Sequence, residues 1–205
     1  MIMSDKEMNF IYLKGIIKNI TYSHSIGDTV FNKADLIVRR PDGREDLIVI
    51  KFKEFSFTGL EYKEVELVGN IRSFSHQVGD KNKVEVYVFS YFDDVEEPHN
   101  QPNVVLLDGK ICKKDTIRKT SSGKHYIHYI VANNIHTENG TKLSSYIPCV
   151  SWGKAAKEVE SNFNVGDTVH IEGRLQSREH KKRISDSEVE LRVAHELATT
   201  TINKL

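Results

Sequence analysis

Apolar and polar residues alternate most cleanly in the second half of the chain. Thr168-Val169-His170-Ile171-Glu172 and Glu188-Val189-Glu190-Leu191-Arg192-Val193 place an aliphatic side chain at every second position, as a strand with one buried face requires. Segments rich in β-branched and aromatic residues cover roughly 103–113, 125–133, 145–152, 168–176 and 187–195. From Lys154 to Phe163 the period changes to four. Ala155, Val159 and Phe163 form one stripe, which predicts a short helix, and Val165-Gly166-Asp167 supplies the turn after it. The first half carries strand patterns near 9–22, 33–39, 45–52, 63–75 and 83–92, and the gap from Lys53 to Tyr62 is too short for more than a helical turn.

Three strands, a short helix and two strands is the order of an OB barrel. The expected fold is all-β, with two tandem five-stranded OB-fold barrels, the second bearing a short helix between its strands 3 and 4. An internal repeat supports the duplication. Asn, Leu and Gly recur at the same offsets in Asn9-Phe10-Ile11-Tyr12-Leu13-Lys14-Gly15 and Asn103-Val104-Val105-Leu106-Leu107-Asp108-Gly109. Gly69, Ile71, Ser73 and His76 are answered by Gly173, Leu175, Ser177 and His180. The first pair of segments lies 94 residues apart and the second 104, so the second copy holds ten more residues between its glycines, most cheaply as loop. The acidic, Pro-containing run from Asp93 to Pro102 marks the junction. Residues 1–98 are expected to form one domain, 99–102 a linker and 103–205 a second domain.

Charge divides along the same boundary. The chain is formally neutral, with 29 Lys plus Arg against 29 Asp plus Glu. Residues 1–102 hold 13 basic and 17 acidic side chains and residues 103–205 hold 16 and 12, so a polyanion would meet the second half. Cys112 and Cys149 have neither zinc-site spacing nor disulfide density and are expected as buried free thiols. No signal peptide and no run of roughly 18 apolar residues is present, so a soluble, cytoplasmic protein without membrane contact is expected. The nine histidines fall into no HExxH, nucleophile elbow, phosphate-cradling loop or metal-ligand spacing, so neither catalysis nor a metal or other cofactor is expected.

The stretch from Asn103 to His180 resembles the bacterial and phage single-stranded DNA-binding protein family. Its matching pieces are Asn103 to Ile111, Thr120-Ser121-Ser122-Gly123-Lys124, Ile130 to Asn134, Tyr146-Ile147-Pro148-Cys149-Val150-Ser151-Trp152-Gly153-Lys154-Ala155-Ala156 and Val165 to Arg178. The resemblance implies an OB barrel whose groove and hairpins wrap single strands in replication, recombination or repair. It also implies four OB folds per assembly, which a two-fold chain reaches as a homodimer. The family's acidic tail, which recruits replication and repair proteins, has no counterpart in Thr199 to Leu205.

Binding without base preference needs rings for the bases and cations for the phosphates. Trp152 and Tyr146 match the family's stacking positions, and six residues apart they share one strand face. His180 falls where the family carries a tryptophan. On the second strand His125 faces the same way as Tyr129, and Tyr126 and His128 share the other face; His125 and Tyr129 are taken as the candidates. Lys113, Lys114, Arg118, Lys119 and Lys124 flank the first hairpin, and Arg174, Arg178, Lys181, Lys182 and Arg183 follow the fourth strand. In the first half Phe52 approximates the Trp152 position and Arg72 is an available cation, whereas Asp46 stands where the second half has Tyr146 and introduces repulsion. Two further readings compete with single-stranded DNA binding: an OB-fold accessory or protein-interaction subunit of replication machinery, and an RNA-binding protein.

Overall fold

The strands alternate between a buried and an open face, and the burial along them sets the architecture. In a computed structural model, which describes residues 7–54, 56–57, 59–78, 81–92, 99–136, 142–183 and 189–205, the elements run β1 (Asn9–Ile26), β2 (Thr29–Arg39), β3 (Glu45–Lys53), β4 (Glu64–Val78), β5 (Lys81–Phe92), β6 (Asn103–Lys114), β7 (Arg118–Lys119), β8 (His125–His136), β9 (Lys142–Trp152), α1 (Gly153–Asn162), β10 (Thr168–Arg183) and β11 (Val189–Lys204). In β3, Asp46, Ile48, Ile50 and Phe52 all turn inward while their neighbours stay at least partly accessible.

Among the described residues these strands form one eleven-stranded sheet in the order β2-β3-β5-β4-β1-β6-β10-β11-β9-β8-β7, and additional β2–β1 and β6–β8 pairings draw the strands of each half back on themselves. This corrects the expectation of two separate five-stranded units. The halves are continuous because β1 pairs antiparallel with β6, Ile11 opposite Val105 and flanked by Asn9–Leu107 and Leu13–Asn103. The second half also gains β7, so α1 follows its fourth strand rather than its third. On the helix the inward residues are Ala156 and Val159, with Phe163 buried just beyond, so Ala156 replaces Ala155 in the expected stripe. Strands β10 and β11 run farther than their alternation suggested, to Arg183 and Lys204, paired along their whole length. The added length of β11 buries four consecutive residues, Glu196 to Thr199, and a register shift between Glu172 and Gly173 follows them, so no simple alternation marks it.

The junction maps onto itself when the halves are exchanged. The Lys14 N–H donates to the Pro102 carbonyl and the Asp108 N–H to the Met8 carbonyl, both at 2.8 Å. The Asn9 side chain donates to the Ile71 carbonyl at 2.9 Å and accepts from its N–H at 2.8 Å. Asn103 does the same with Leu175 at 2.7 and 3.0 Å. These are the asparagines of the internal repeat, and each stands in for a neighbouring strand where the β1–β4 and β6–β10 ladders have ended. The repeated glycines have a steric reason. A Cβ on Gly15, Gly69, Gly109 or Gly173 would lie 2.3–2.5 Å from a carbonyl oxygen of a facing strand.

The repeated serines stitch one half to the other. The Tyr146 N–H donates to Ser73 Oγ at 2.7 Å, and the Leu47 N–H donates to Ser177 Oγ at 2.9 Å. Asp46 lies fully buried beside this second contact. Its carboxylate accepts from the Arg40 guanidinium through Nε at 2.6 Å and through Nη2, and from the Ser177 N–H at 2.7 Å; Arg174 approaches to 3.4 Å. Asp46 is therefore a neutralised structural acid and not a repulsive group on the binding path. Of the two thiols, Cys149 is buried, and burial raises its pKa; Cys112 is exposed, contrary to expectation, where a register shift between Ile111 and Lys113 interrupts the β6–β8 ladder.

Candidate nucleic-acid interface

A turn builds the centre of the site. Thr120 N–H donates to the Lys124 carbonyl at 2.9 Å, Gly123 adopts φ 81°, and the two-residue strand β7 then pairs back on β8, with Arg118 opposite Tyr126 and Lys119 opposite His125. Next to it, β8 and β9 are in register so that Tyr126 faces Trp152. Their rings lie 5.3 Å apart with planes tilted by 34°, and Lys124 Nζ stands 5.4 Å from the centre of the Trp152 ring. Tyr126 also meets His128 edge-on at 5.4 Å. Trp152 and Tyr126 are both partly exposed, and Arg118, Lys119 and Lys124 are exposed. The His125 pKa is lowered, first by desolvation and then by Lys119 and Lys157, which marks this edge as electropositive.

Tyr146 lies on β9 with half its surface exposed, on the strand face it shares with Trp152, Pro148 and Val150. His180, Lys181, Lys182 and Arg183 belong to β10, but their side chains fall outside the described residues. Arg178 is exposed and 4.0 Å from Glu196, and Lys113 is exposed and 3.6 Å from Asp115.

Several expected contacts are structural instead. Tyr129 is buried, its hydroxyl held by Thr199 at 2.6 Å and Ser151 at 3.2 Å, and desolvation drives its pKa up. It lies on the inward face of β8, so the exposed ring pair is Tyr126 and His128, which alternation had identified without deciding between faces. Lys114 donates to the carbonyls of Phe163, Glu160 and Val159 at 2.7, 3.1 and 3.4 Å, satisfying the C-terminal end of α1. Arg174 is engaged by Gln176 at 2.9 Å as well as by Asp46. Arg72 is partly buried with its guanidinium 4.1 Å from the centre of the Phe89 ring.

Phe52 is buried, edge-on to Phe57 at 4.7 Å. Parallel pairings locate the error: Lys51 lies opposite Phe89 and Val150 opposite Ala198, and Gly69 and Gly173 approach those same two partners. The true counterpart of Trp152 is thus Lys53, that of Phe52 is Ser151, and that of Tyr146 is Leu47. A one-residue slip exchanges the two faces of a strand.

Rings next to cations on a small closed β structure define a surface for a flexible polyanion that offers flat bases. Among the described residues no group of three or more His, Cys, Asp or Glu side chains is placed to hold a metal ion, and no helix is long and apolar enough to cross a membrane.

Residues 102–201 match the Single-strand binding protein family. The chain is 31% identical over 81 residues to Single-stranded DNA-binding protein B of Bacillus subtilis, covering 38% of this chain and 72% of that protein. It is 29% identical over 83 residues to the Single-stranded DNA-binding protein of Lactiplantibacillus plantarum, covering 40% of this chain and 42% of that one, so it spans less than half of the latter's length. The wild-type single-stranded DNA binding protein from Thermus aquaticus shares the fold over 98% of this chain and 94% of that chain, with a TM-score of 0.71 at 15% identity. The chain belongs to the single-strand binding protein family.

Proposed function

We propose that this protein binds and protects single-stranded DNA without chemical turnover, in replication, recombination or repair, by stacking bases on Trp152 and Tyr126 while Lys124, Lys119 and Arg118 neutralise the phosphates beside them. The partly exposed Trp152 ring, tilted against Tyr126 with Lys124 above it, carries the reading. Each stacked base contributes about 1–3 kcal/mol and is sequence-tolerant, because every base has a flat face. Tyr146 extends the surface along β9, and Lys113, Arg178, His180, Lys181, Lys182 and Arg183 are further contacts of the strand in this reading. DNA is the preferred strand on the strength of the relatives' names, and a DNA–RNA competition at equal length decides it.

The finer organisation follows the same reading. Residues 1–98 and 103–205 act as two OB-fold halves of the continuous sheet, connected through residues 99–102, and two chains associate to present four such folds. The protein then works where its DNA lies, in the cytoplasm. Trp152 is the only tryptophan, so titration with oligo-dT reports directly on the site. Quenching that weakens steeply between low and high salt is expected, as is a loss of about 1–3 kcal/mol in Trp152→Ala followed by competition. Unquenched fluorescence with intact binding would move the site elsewhere; absence of binding at low salt would refute the function. An assembly mass equal to one chain would refute the dimer.

A further inference from the structure

Strand β11 carries a carboxylate into the interior. Glu196 is only 5% exposed and accepts from Gln176 Nε2, on the facing strand β10, at 2.8 Å. An amide brings no charge, and an ionised carboxylate taken out of water needs a cation near it. Two groups stand at the edge of reach, His128 Nε2 at 3.5 Å and Arg178 Nε at 4.0 Å. Burial works to raise the pKa of Glu196, but His128, Gln176 and Arg178 outweigh it and bring the group below the ordinary carboxylate value. Glu196 is therefore ionised, and both bases that neutralise it are loosely placed.

Both bases also reach the surface. The His128 side chain is 31% exposed and that of Arg178 56%, and the two line the cleft between the halves. His128 meets Tyr126 edge-on, and Tyr126 tilts against Trp152. The other charged groups around His128 offset one another. Lys113 and Asp115, at the end of β6, lie 3.6 Å apart, and the Asp115 N–H donates to the His128 carbonyl at 2.9 Å. Across the cleft the first half presents Lys33 and Lys51 against Asp35 and Glu85, with Glu85 3.7 Å from His76. His195 is turned to the Leu47 carbonyl, Lys157 of α1 acts on His125, and Val150, opposite His128 on β9, is apolar. What stays open is one buried negative charge shared by two partly exposed bases.

We propose that His128 and Arg178 form a phosphate subsite over Glu196 in which binding is linked to a proton. A phosphate of the strand draws Arg178 away from Glu196, and His128 takes one proton from the solvent, so that an imidazolium lies between the buried carboxylate and the bound phosphate. The charges balance, with Arg178 and the new proton offsetting Glu196 and the phosphate. The proposal rests on the single-strand reading and adds a role for a buried acid that stacking does not use. In the complex two anions hold the imidazolium where the free protein has one, so the complex binds the proton more tightly. Affinity then rises as pH falls through the histidine range, by up to about tenfold per pH unit for one proton.

The test is titration calorimetry with oligo-dT of about 16 nucleotides, the upper size that one OB fold covers. Wild type, Glu196→Gln, His128→Gln and the double variant are measured at about pH 6 and about pH 8, on either side of the histidine range. Each titration is run in two buffers of different ionisation enthalpy, so that the difference in heat counts the protons taken up. Wild type is expected to take up protons and to bind about tenfold more weakly at the higher pH. Glu196→Gln keeps the volume and the bond to Gln176; it should take up fewer protons and bind about two- to fivefold more tightly at the higher pH, because a negative charge beside the phosphates is gone. His128→Gln should lose the same protons, and the double variant should lose no more than either single one. Proton uptake and pH dependence as in wild type in both single variants overturn the subsite, and so does a Glu196→Gln protein weaker by one factor at both pH values, the mark of a purely structural acid. If Glu196→Gln fails to fold, the partly exposed His128→Gln decides by the same count. Binding by wild type without proton uptake refutes the subsite alone, whereas absence of binding takes the single-strand reading with it.

Discussion

Replacing Asp46 by Asn tests how the halves are held in one orientation. The wild-type carboxylate is fully buried, accepts from Arg40 Nε at 2.6 Å and from the Ser177 N–H at 2.7 Å, and has Arg174 at 3.4 Å. Arg40 is itself only 11% exposed, so it loses its counterion without gaining water. An asparagine fits the same volume but turns an NH2 group toward one of these donors. Removing one partner of a buried pair costs about 3–5 kcal/mol, mostly the penalty of stranding the other charge. Asp46→Asn should therefore lower stability by that amount in urea unfolding, seen as a fall in the midpoint at unchanged slope. The double variant Arg40→Met/Asp46→Leu removes both charges and should recover most of the loss, leaving about 1–3 kcal/mol for the unpartnered Ser177 N–H. A loss below about 1 kcal/mol in Asp46→Asn, or a double variant no better than the single, would refute the view that this charge is stabilised by enclosure.

Two further outcomes follow from the junction. Asn103→Ala strands the N–H and C=O of Leu175 together, so a loss of about 2–3 kcal/mol in the same assay is expected, and a near-neutral result would mean that β10 is held without it. His195 donates through Nε2 to the Leu47 carbonyl at 2.8 Å, and desolvation lowers its pKa despite that bond and the nearby carboxylates. Because the unfolded chain then binds a proton that the folded chain refuses, stability should fall as pH drops below about 6.5; His195→Gln should flatten that part of a urea-midpoint profile, and an identical slope in the variant would exclude His195 as the source.

What the sequence discloses here is set by how each signal arises physically. Strand alternation and the repeated Asn, Gly and Ser positions were legible because one buried face and a fixed backbone approach constrain residue type locally: nothing larger than glycine clears a carbonyl 2.4 Å away at Gly15. The β1–β6 pairing was not legible, because β1 reads as an ordinary half-buried strand whether its edge meets its own half or the other. Site residues divided the same way. Trp152 could be placed from its motif, but choosing between Tyr129 and Tyr126 needed the inward direction of β8, and Lys114 and Arg174 could be separated from Lys119 and Lys124 only once the end of α1 and the buried Asp46 were located. Phe52 shows the limit most sharply, since an offset of one residue between the two copies exchanges the face of every side chain on a strand. The same duplication then diverged where it is free to do so. The repeated Asn, Gly and Ser positions kept their identities in both halves, whereas the exposed counterpart of Trp152 is Lys53.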